Sequence, residues 1–224
     1  MPLRLPVARE PSHTRSITIN GYRRFDGLYD IEAQLTDTKA YRLANGHRGE
    51  LPPGTPLHGM WMRVTVDDTM LIHCCEAVSD ATPYAICPSA AENFSALAGL
   101  RIGRGFLRAA AERVGGTLGC THLRELLQQV GTTAFQTIHA HRAKLIMDAE
   151  MASGVAVDAE AIETKISEHF GGPAAILNTA SPMARIARSL SGDGRSCLRI
   201  LRRQPKQTVL VQWGLKFDCC DWLG

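Results

Sequence analysis

At 224 residues, with 45% hydrophobic and 21% charged residues, the chain has the composition of an ordinary folded globule, with room for one large domain or a domain and an appendage. A formal charge of +3 is too small to point to nucleic acid, and no apolar run reaches the length of a bilayer. The first residues, MPLRLPVAREPSHTR, carry prolines and charges where a signal peptide carries an apolar stretch, so a cytoplasmic protein is expected, its seven cysteines reduced rather than paired.

Residues 1–27 read as a polar leader. From Leu28 to Thr36 the chain alternates strictly: Tyr29, Ile31, Ala33 and Leu35 fall on one face, Asp30, Glu32, Gln34 and Thr36 on the other. Period two marks a half-buried strand. A loop rich in Gly and Pro follows (ANGHRGELPPGTPLHG). Trp61–Val66 and Thr69–Val78 then read as two strands joined by a tight hairpin through Asp67-Asp68.

From Pro83 the pattern turns helical. Cys87-Pro88-Ser89 opens a short helix, with proline where a missing N–H costs nothing, and Phe94, Leu97 and Ala98 give its apolar stripe. A second helix from about Arg104 carries Phe106, Leu107, Ala110, Ala111 and Val114 and stops at Gly115-Gly116. The clearest follows. Leu123, Leu126, Leu127, Val130, Ala134, Phe135 and Ile138 recur at three- and four-residue spacing opposite Arg124, Glu125, Gln128 and Gln129, with Thr121 as N-cap. Helical pattern continues from His141 to Met151 and again from Asp158 to Phe170. Ser189–Lys206 reads as an exposed basic connection, and Val209–Phe217 alternates as a last strand would. Strands followed by helices, rather than alternating with them, predict an α+β fold: a three-stranded antiparallel sheet packed against helices. The divisions expected are the leader, a core over 28–152, and a helical and irregular extension over 153–224.

Two cysteines stand at helix starts. Cys120 precedes Thr121 and Cys87 precedes Pro88, so free backbone N–H groups and the positive end of the helix dipole favour thiolate at both. His122 lies two residues after Cys120. On one helix such a pair points about 200° apart, but with Cys120 in the preceding loop the two can converge. His58, in the glycine-flanked TPLHGMW, is a loop histidine that could complete a Cys2His2 set with Cys87, Cys120 and His122, suited to tetrahedral zinc or an iron site. Asp37-Thr38-Lys39 ends the first strand as an exposed turn, with a contribution to a site as the alternative. His73-Cys74-Cys75 lies on a strand, where the two thiols must face opposite ways and read as core fillers. His139 and His141 read as solvated. No phosphate-binding, dinucleotide-binding, GxSxG or HExxH motif is present.

The stretch from GYRRFDGLYDIEAQLTDTK through PLHGMWMRVTVDD, ICP and GCTHLRELLQQVGTTAFQT closely resembles an uncharacterised bacterial domain-of-unknown-function family, over roughly Arg9 to Ile138. More distantly it resembles the iron–sulfur scaffold family of NifU and IscU, with its relative SufE. That resemblance implies a three-stranded sheet followed by helices. It also implies a ligand set in which His58 stands at the first cysteine position, Cys87 at the second and Cys120 at the third. His58 in place of cysteine, and Met60 where an acidic residue is expected, imply a simpler metal site or a thiol activity rather than a labile cluster scaffold.

Two classes of function follow. One is a metal-binding protein that holds zinc, iron or a small iron–sulfur cluster with His58, Cys87, Cys120 and His122. The other is a small enzyme of sulfur or acyl transfer, or of lyase or isomerase type. There Cys120 or Cys87 is the nucleophile and His122 or His58 the base. A protein partner or a small-molecule substrate is expected; nucleic acid and membrane are not.

Overall fold

The computed structural model describes residues 3–154, 158–169, 208–210 and 216–218. It divides into two compact units, Met1–Arg101 with Phe106–Thr137, and Ile102–Gly105 with Ile138–Gly224.

The first unit is built on an antiparallel sheet of four strands, not three: β1 (His13–Arg23), β2 (Tyr29–Lys39), β5 (Pro56–Val66) and β6 (Ile72–Ala81), in the order β1-β2-β5-β6. The Gly- and Pro-rich stretch before β5 forms a small hairpin of β3 (Leu43–Asn45) and β4 (Gly49–Leu51). The strand that the sequence pattern misses is β1, which lies in the second half of the polar leader. It is illegible because only Ile17 and Ile19 mark its inward face; the other positions of the same parity are His13, Arg15, Gly21 and Arg23. The tight turn expected at Asp67-Asp68 is a longer one, Asp67–Leu71. Asp67 Oδ1 accepts from the backbone N–H groups of Thr69 and Leu71 and so takes the place of a turn glycine.

Alternation fixes the buried face. Tyr29, Ile31, Ala33 and Leu35 of β2 and Met60, Met62, Val64 and Val66 of β5 are all buried. Each of the larger side chains contributes about 1.5–3 kcal/mol of burial. On β6 the two neighbouring thiols separate: Cys74 is exposed and Cys75 buried, so only Cys75 fills the core. Burial pushes the Cys75 thiol up to about 12. A brief pulse of iodoacetamide on the native protein, read by mass spectrometry, is therefore expected to label Cys74 and to spare Cys75 until denaturant is added.

Helices follow the sheet: α1 (Cys87–Glu92), a 3-10 turn at Asn93–Leu97, α2 (Phe106–Val114) and a long α3 (Thr121–Ala152). Phe94 and Leu97 are buried while Ala98 is exposed, and in α2 Leu107 and Ala111 face outward. All seven residues of the α3 stripe are buried, and Gly131 does not interrupt the helix. The first unit's part of α3 lies on the sheet alongside β1. At one end Glu125 pairs with Arg15; at the other, a Cβ on Gly21 would fall 1.9 Å from Thr137 Oγ1. The helix from Glu125 to Thr137 rises about 18 Å, and the strand from Arg15 to Gly21 spans about 20 Å. The two elements therefore run in the same direction with matched lengths.

In the second unit, α3 continues to Ala152 and α4 (Ala159–His169) follows, with Ala143, Ile162 and Ile166 buried together. Asp158 Oδ1 accepts from Glu160 N–H at the head of α4, as an N-cap does. His139, expected in solvent, is mostly buried and has its Nε2 3.6 Å from Glu163 Oε2. In place of one strand over Val209–Phe217, two short strands, β7 (Thr208–Leu210) and β8 (Lys216–Asp218), pair antiparallel. The basic connection Ser189–Lys206 and the pair Cys219-Cys220 lie outside the described residues. Among the described residues, no helix is long and apolar enough to cross a membrane.

Candidate metal centre

At one end of the sheet the inward face stops being apolar. The register places Arg15 of β1 opposite Asp37 of β2, and Asp37 opposite His58 of β5, so three polar side chains form a row across three strands. Bulges lie beside the row: β5 carries one extra residue, Leu57, opposite the Asp37–Thr38 step of β2, and β6 carries one, Asp80, opposite the Gly59–Met60 step of β5. Such irregularities re-aim side chains at the end of a ladder. The start of α3 lies over this end, where Cys120, His122 and Glu125 join the row.

Asp37 is the hub. It is 1% exposed. Arg15 donates to it through both prongs of its guanidinium, Nε to Oδ1 and Nη2 to Oδ2, each at 2.8 Å. His58 Nδ1 donates to Oδ2 at 3.0 Å. His13 Nε2 stands 3.4 Å from Oδ1 and His122 Nε2 4.0 Å from Oδ2. The guanidinium beside it holds the Asp37 carboxyl below the usual range, so it is ionised at neutral pH. His58 is pushed down instead, first by burial and then by the neighbouring His122, and is neutral at pH 7. The rings of His58 and His122 lie against each other, centroids 3.9 Å apart and tilted by 35°. With Nδ1 of His58 donating to Asp37, its Nε2 is left as an acceptor.

Cys120 ends the loop before α3, and its carbonyl accepts from Arg124 N–H, so the cap sits one residue earlier than Thr121. Gly119 makes that start possible. A Cβ there would fall 2.2 Å from the Val114 carbonyl oxygen, a backbone contact no side-chain rotation relieves. Cys120 and His122 do converge, with Sγ 3.9 Å from Nδ1.

Of the residues that stand out in the sequence, His58 and His122 meet and Cys120 adjoins them. Cys87, the first residue of the six-residue α1, is not among them. His58 is a strand residue, 13% exposed at its side chain, not a loop histidine. Asp37 is buried, not part of an exposed turn. The alternation that buries Tyr29, Ile31, Ala33 and Leu35 reaches it at the next inward position, and that parity is its signal. Arg15 and His13 carry no signal because their strand carries none. Among the described residues, one group of three or more metal-ligating side chains has its donor atoms all within 4.8 Å of one another: Asp37, His58 and His122. Two imidazoles and a carboxylate are a donor set for a first-row divalent ion.

A model of the family described as "Protein of unknown function (DUF2889)" matches residues 13–136, more than half of the chain. The chain belongs to this family. The matched span of this DUF2889 member begins at His13, the first residue of β1, and runs one residue short of the end of the first unit. It therefore contains Asp37, His58, Cys120 and His122. No curated protein and no solved structure matches the chain, so the likeness to the iron–sulfur scaffold has no structural support.

Proposed function

We propose that this DUF2889 domain binds one divalent transition-metal ion, zinc or iron(II), through Asp37, His58 and His122. One observation carries the reading: three donors of the right kind lie within 4.8 Å of one another, on three elements far apart in sequence. Ligands about 2.0–2.1 Å from a tetrahedral ion stand about 3.4 Å from each other. From Asp37 Oδ2, His58 Nδ1 at 3.0 Å and His122 Nε2 at 4.0 Å bracket that value, so His58 would ligate through Nδ1, with the proton it now donates to Asp37 displaced and the ring carrying its hydrogen at Nε2. His58 is already neutral, the form that ligates. The set contains oxygen and nitrogen and no thiolate, which favours a mononuclear ion over an iron–sulfur cluster. Three protein donors leave a coordination position open, as in catalytic rather than structural sites. That supports water or a small-molecule substrate as the fourth ligand.

The reading of Cys120 as nucleophile has less behind it. Cys120 is 8% exposed, and its sulfur is packed between Met60 Sδ at 3.8 Å and His122 Nδ1 at 3.9 Å, which leaves a substrate little access to it.

Titration with Co2+, followed by visible absorbance and calorimetry, tests the proposal. One equivalent is expected to bind and to raise the unfolding free energy by about 2.7 kcal/mol at a hundredfold excess over Kd. The double variant His58→Ala/His122→Ala is expected to lose affinity at least about 100-fold, having kept one donor of three. Absence of saturable binding in the native protein, or equal binding by the double variant, overturns the reading.

A further inference from the structure

The two edges of the sheet are not alike. Strand β6 is broken by two bulges, where His73 and Asp80 have no opposite residue on β5, and its first residue is hydrogen-bonded to Gly99 and Leu100. Bulges and a covering loop keep other strands from pairing with an edge. Strand β1 lacks them. It runs eleven residues in unbroken register with β2 and contains neither proline nor lysine. Two hydrogen bonds tell which of its backbone groups are free. Ala40 N–H donates to Ser12 C=O just before the strand, and Arg24 N–H to Leu28 C=O just after it. Both continue the β1–β2 register, so the even-numbered residues exchange bonds with β2. The odd-numbered ones, His13, Arg15, Ile17, Ile19, Gly21 and Arg23, turn N–H and C=O away from the sheet, where no described residue meets them. Ile17 and Ile19 are only partly buried, although Leu35 and Ala33 opposite them are buried, so α3 stands inboard of β1.

We propose that β1 is the interface of a two-fold dimer: it pairs antiparallel with β1 of a second copy, about an axis at Thr18, and joins two four-stranded sheets into one. Parity and charge select the register. The free groups lie on odd residues, so odd must oppose odd, and an axis between two residues would set free groups against occupied ones. An axis at Ile19 would place Arg15 against the partner's Arg23, two like charges. One at Ile17 would leave Tyr22 and Arg23 unopposed within the strand. An axis at Thr18 opposes all eleven residues. Ile17 then meets the partner's Ile19, Ser16 the partner's Asn20, and Arg15 the partner's Gly21. Each isoleucine pair covers apolar surface that α3 leaves open. The Arg15 guanidinium, already held by Asp37 and Glu125, meets no second charge. At about 4.8 Å per strand, the two copies of α3 stand about 10–14 Å apart across the junction, no closer than packed helices do. A strand that matches itself about one residue is what an isologous contact requires, and that is why the partner is this chain rather than another.

The interface is independent of the metal reading above. Sedimentation equilibrium of the native protein is expected to give twice the mass of one chain. Thr18 is exposed on the outer face, so its side chain can be changed without touching the core. Thr18→Lys and Thr18→Glu each set like charges face to face across the axis, and each is expected to raise the dimer Kd about fivefold. Mixed in equal amounts the two are expected to recover the native affinity, because opposite charges then meet. Thr18→Cys is expected to give a disulfide-linked dimer under mild oxidation, since the axial pair is of the non-hydrogen-bonded kind, with Cα atoms about 4.5 Å apart. Ser16→Cys is expected to give none with its own copy, four residues out of register and about 13 Å away. Peptide mapping locates the bridge, because Cys74 is exposed as well. A native protein that sediments as a monomer overturns the proposal and leaves the edge to a strand of a different protein. A dimer that no Thr18 variant alters, or one that Ser16→Cys links and Thr18→Cys does not, overturns it too.

Discussion

Replacing Arg15 with alanine is expected to destabilise the protein by about 2–3 kcal/mol at neutral pH, at or below the lower end of the range for breaking a buried ion pair because Arg15 itself is 33% exposed at its side chain. What remains is an ionised Asp37 at 1% exposure with only imidazoles beside it. The pH dependence identifies the cause. In the native protein Asp37 is held below its ordinary pKa, first by the hydrogen bonds from Arg15. Its contribution is therefore present above the unfolded carboxyl pKa, about 3.9, and is lost as pH falls through the lower folded value. Without Arg15, desolvation prevails and the folded pKa moves above the unfolded one. The variant's penalty is then full at neutral pH and fades as the carboxyl protonates. Urea unfolding of the two proteins at pH 7 and near pH 3 is expected to show the gap closing in acid. A gap of equal size at both would mean that Arg15 contributes packing rather than charge. Arg15→Lys is expected to recover only part, since an ammonium cannot reproduce the two-pronged contact.

Gly21→Ala is expected to cost about 2–3 kcal/mol, a large effect for one methyl group. The new Cβ would fall 1.9 Å from Thr137 Oγ1 and 2.9 Å from both Thr137 Cβ and Cγ2. Rotating the threonine does not help, because its own Cβ is one of the atoms in the way, and a β-branched side chain on a helix has little χ1 freedom. The strain passes to the backbone, and α3 must lift from β1. Coupling is the diagnostic measurement. In the double variant Gly21→Ala/Thr137→Ala most of the loss is expected to be recovered, giving an interaction energy of about 1–2 kcal/mol in the cycle. Additive effects would show that the close approach is not what makes Gly21 necessary.

These two residues also mark how far the sequence is legible. The α3 stripe from Leu123 to Ile138 can be read because helical periodicity and burial agree at every position. The inward face of β2 can be read for the same reason with period two. Strand β1 cannot, because a strand announces itself by apolar alternation and this one spends its inward positions on His13, Arg15 and a glycine that admits a helix. The centre hides the strand that helps to build it. His58, Cys120 and His122 stand out by residue type and by their neighbours in the chain. The hub, Asp37, does not, because an acid next to Lys39 at the end of a strand has the chemistry of an ordinary turn. Cys87 matches Cys120 in its setting, yet similar positions at two helix starts say nothing about distance in space.

The row Arg15–Asp37–His58 draws one residue from each of three strands, and His122 closes it from a helix that comes much later in the chain. A slip of β1 by one position would turn Arg15 to the outer face and strand a carboxylate in the interior. The centre thus works as a checksum on the pairing of the first unit: it is complete only when these strands have found their proper neighbours. Newly made chains with a shifted edge strand would lack it, and an ion that recognises the finished centre would draw the population toward the correctly threaded form.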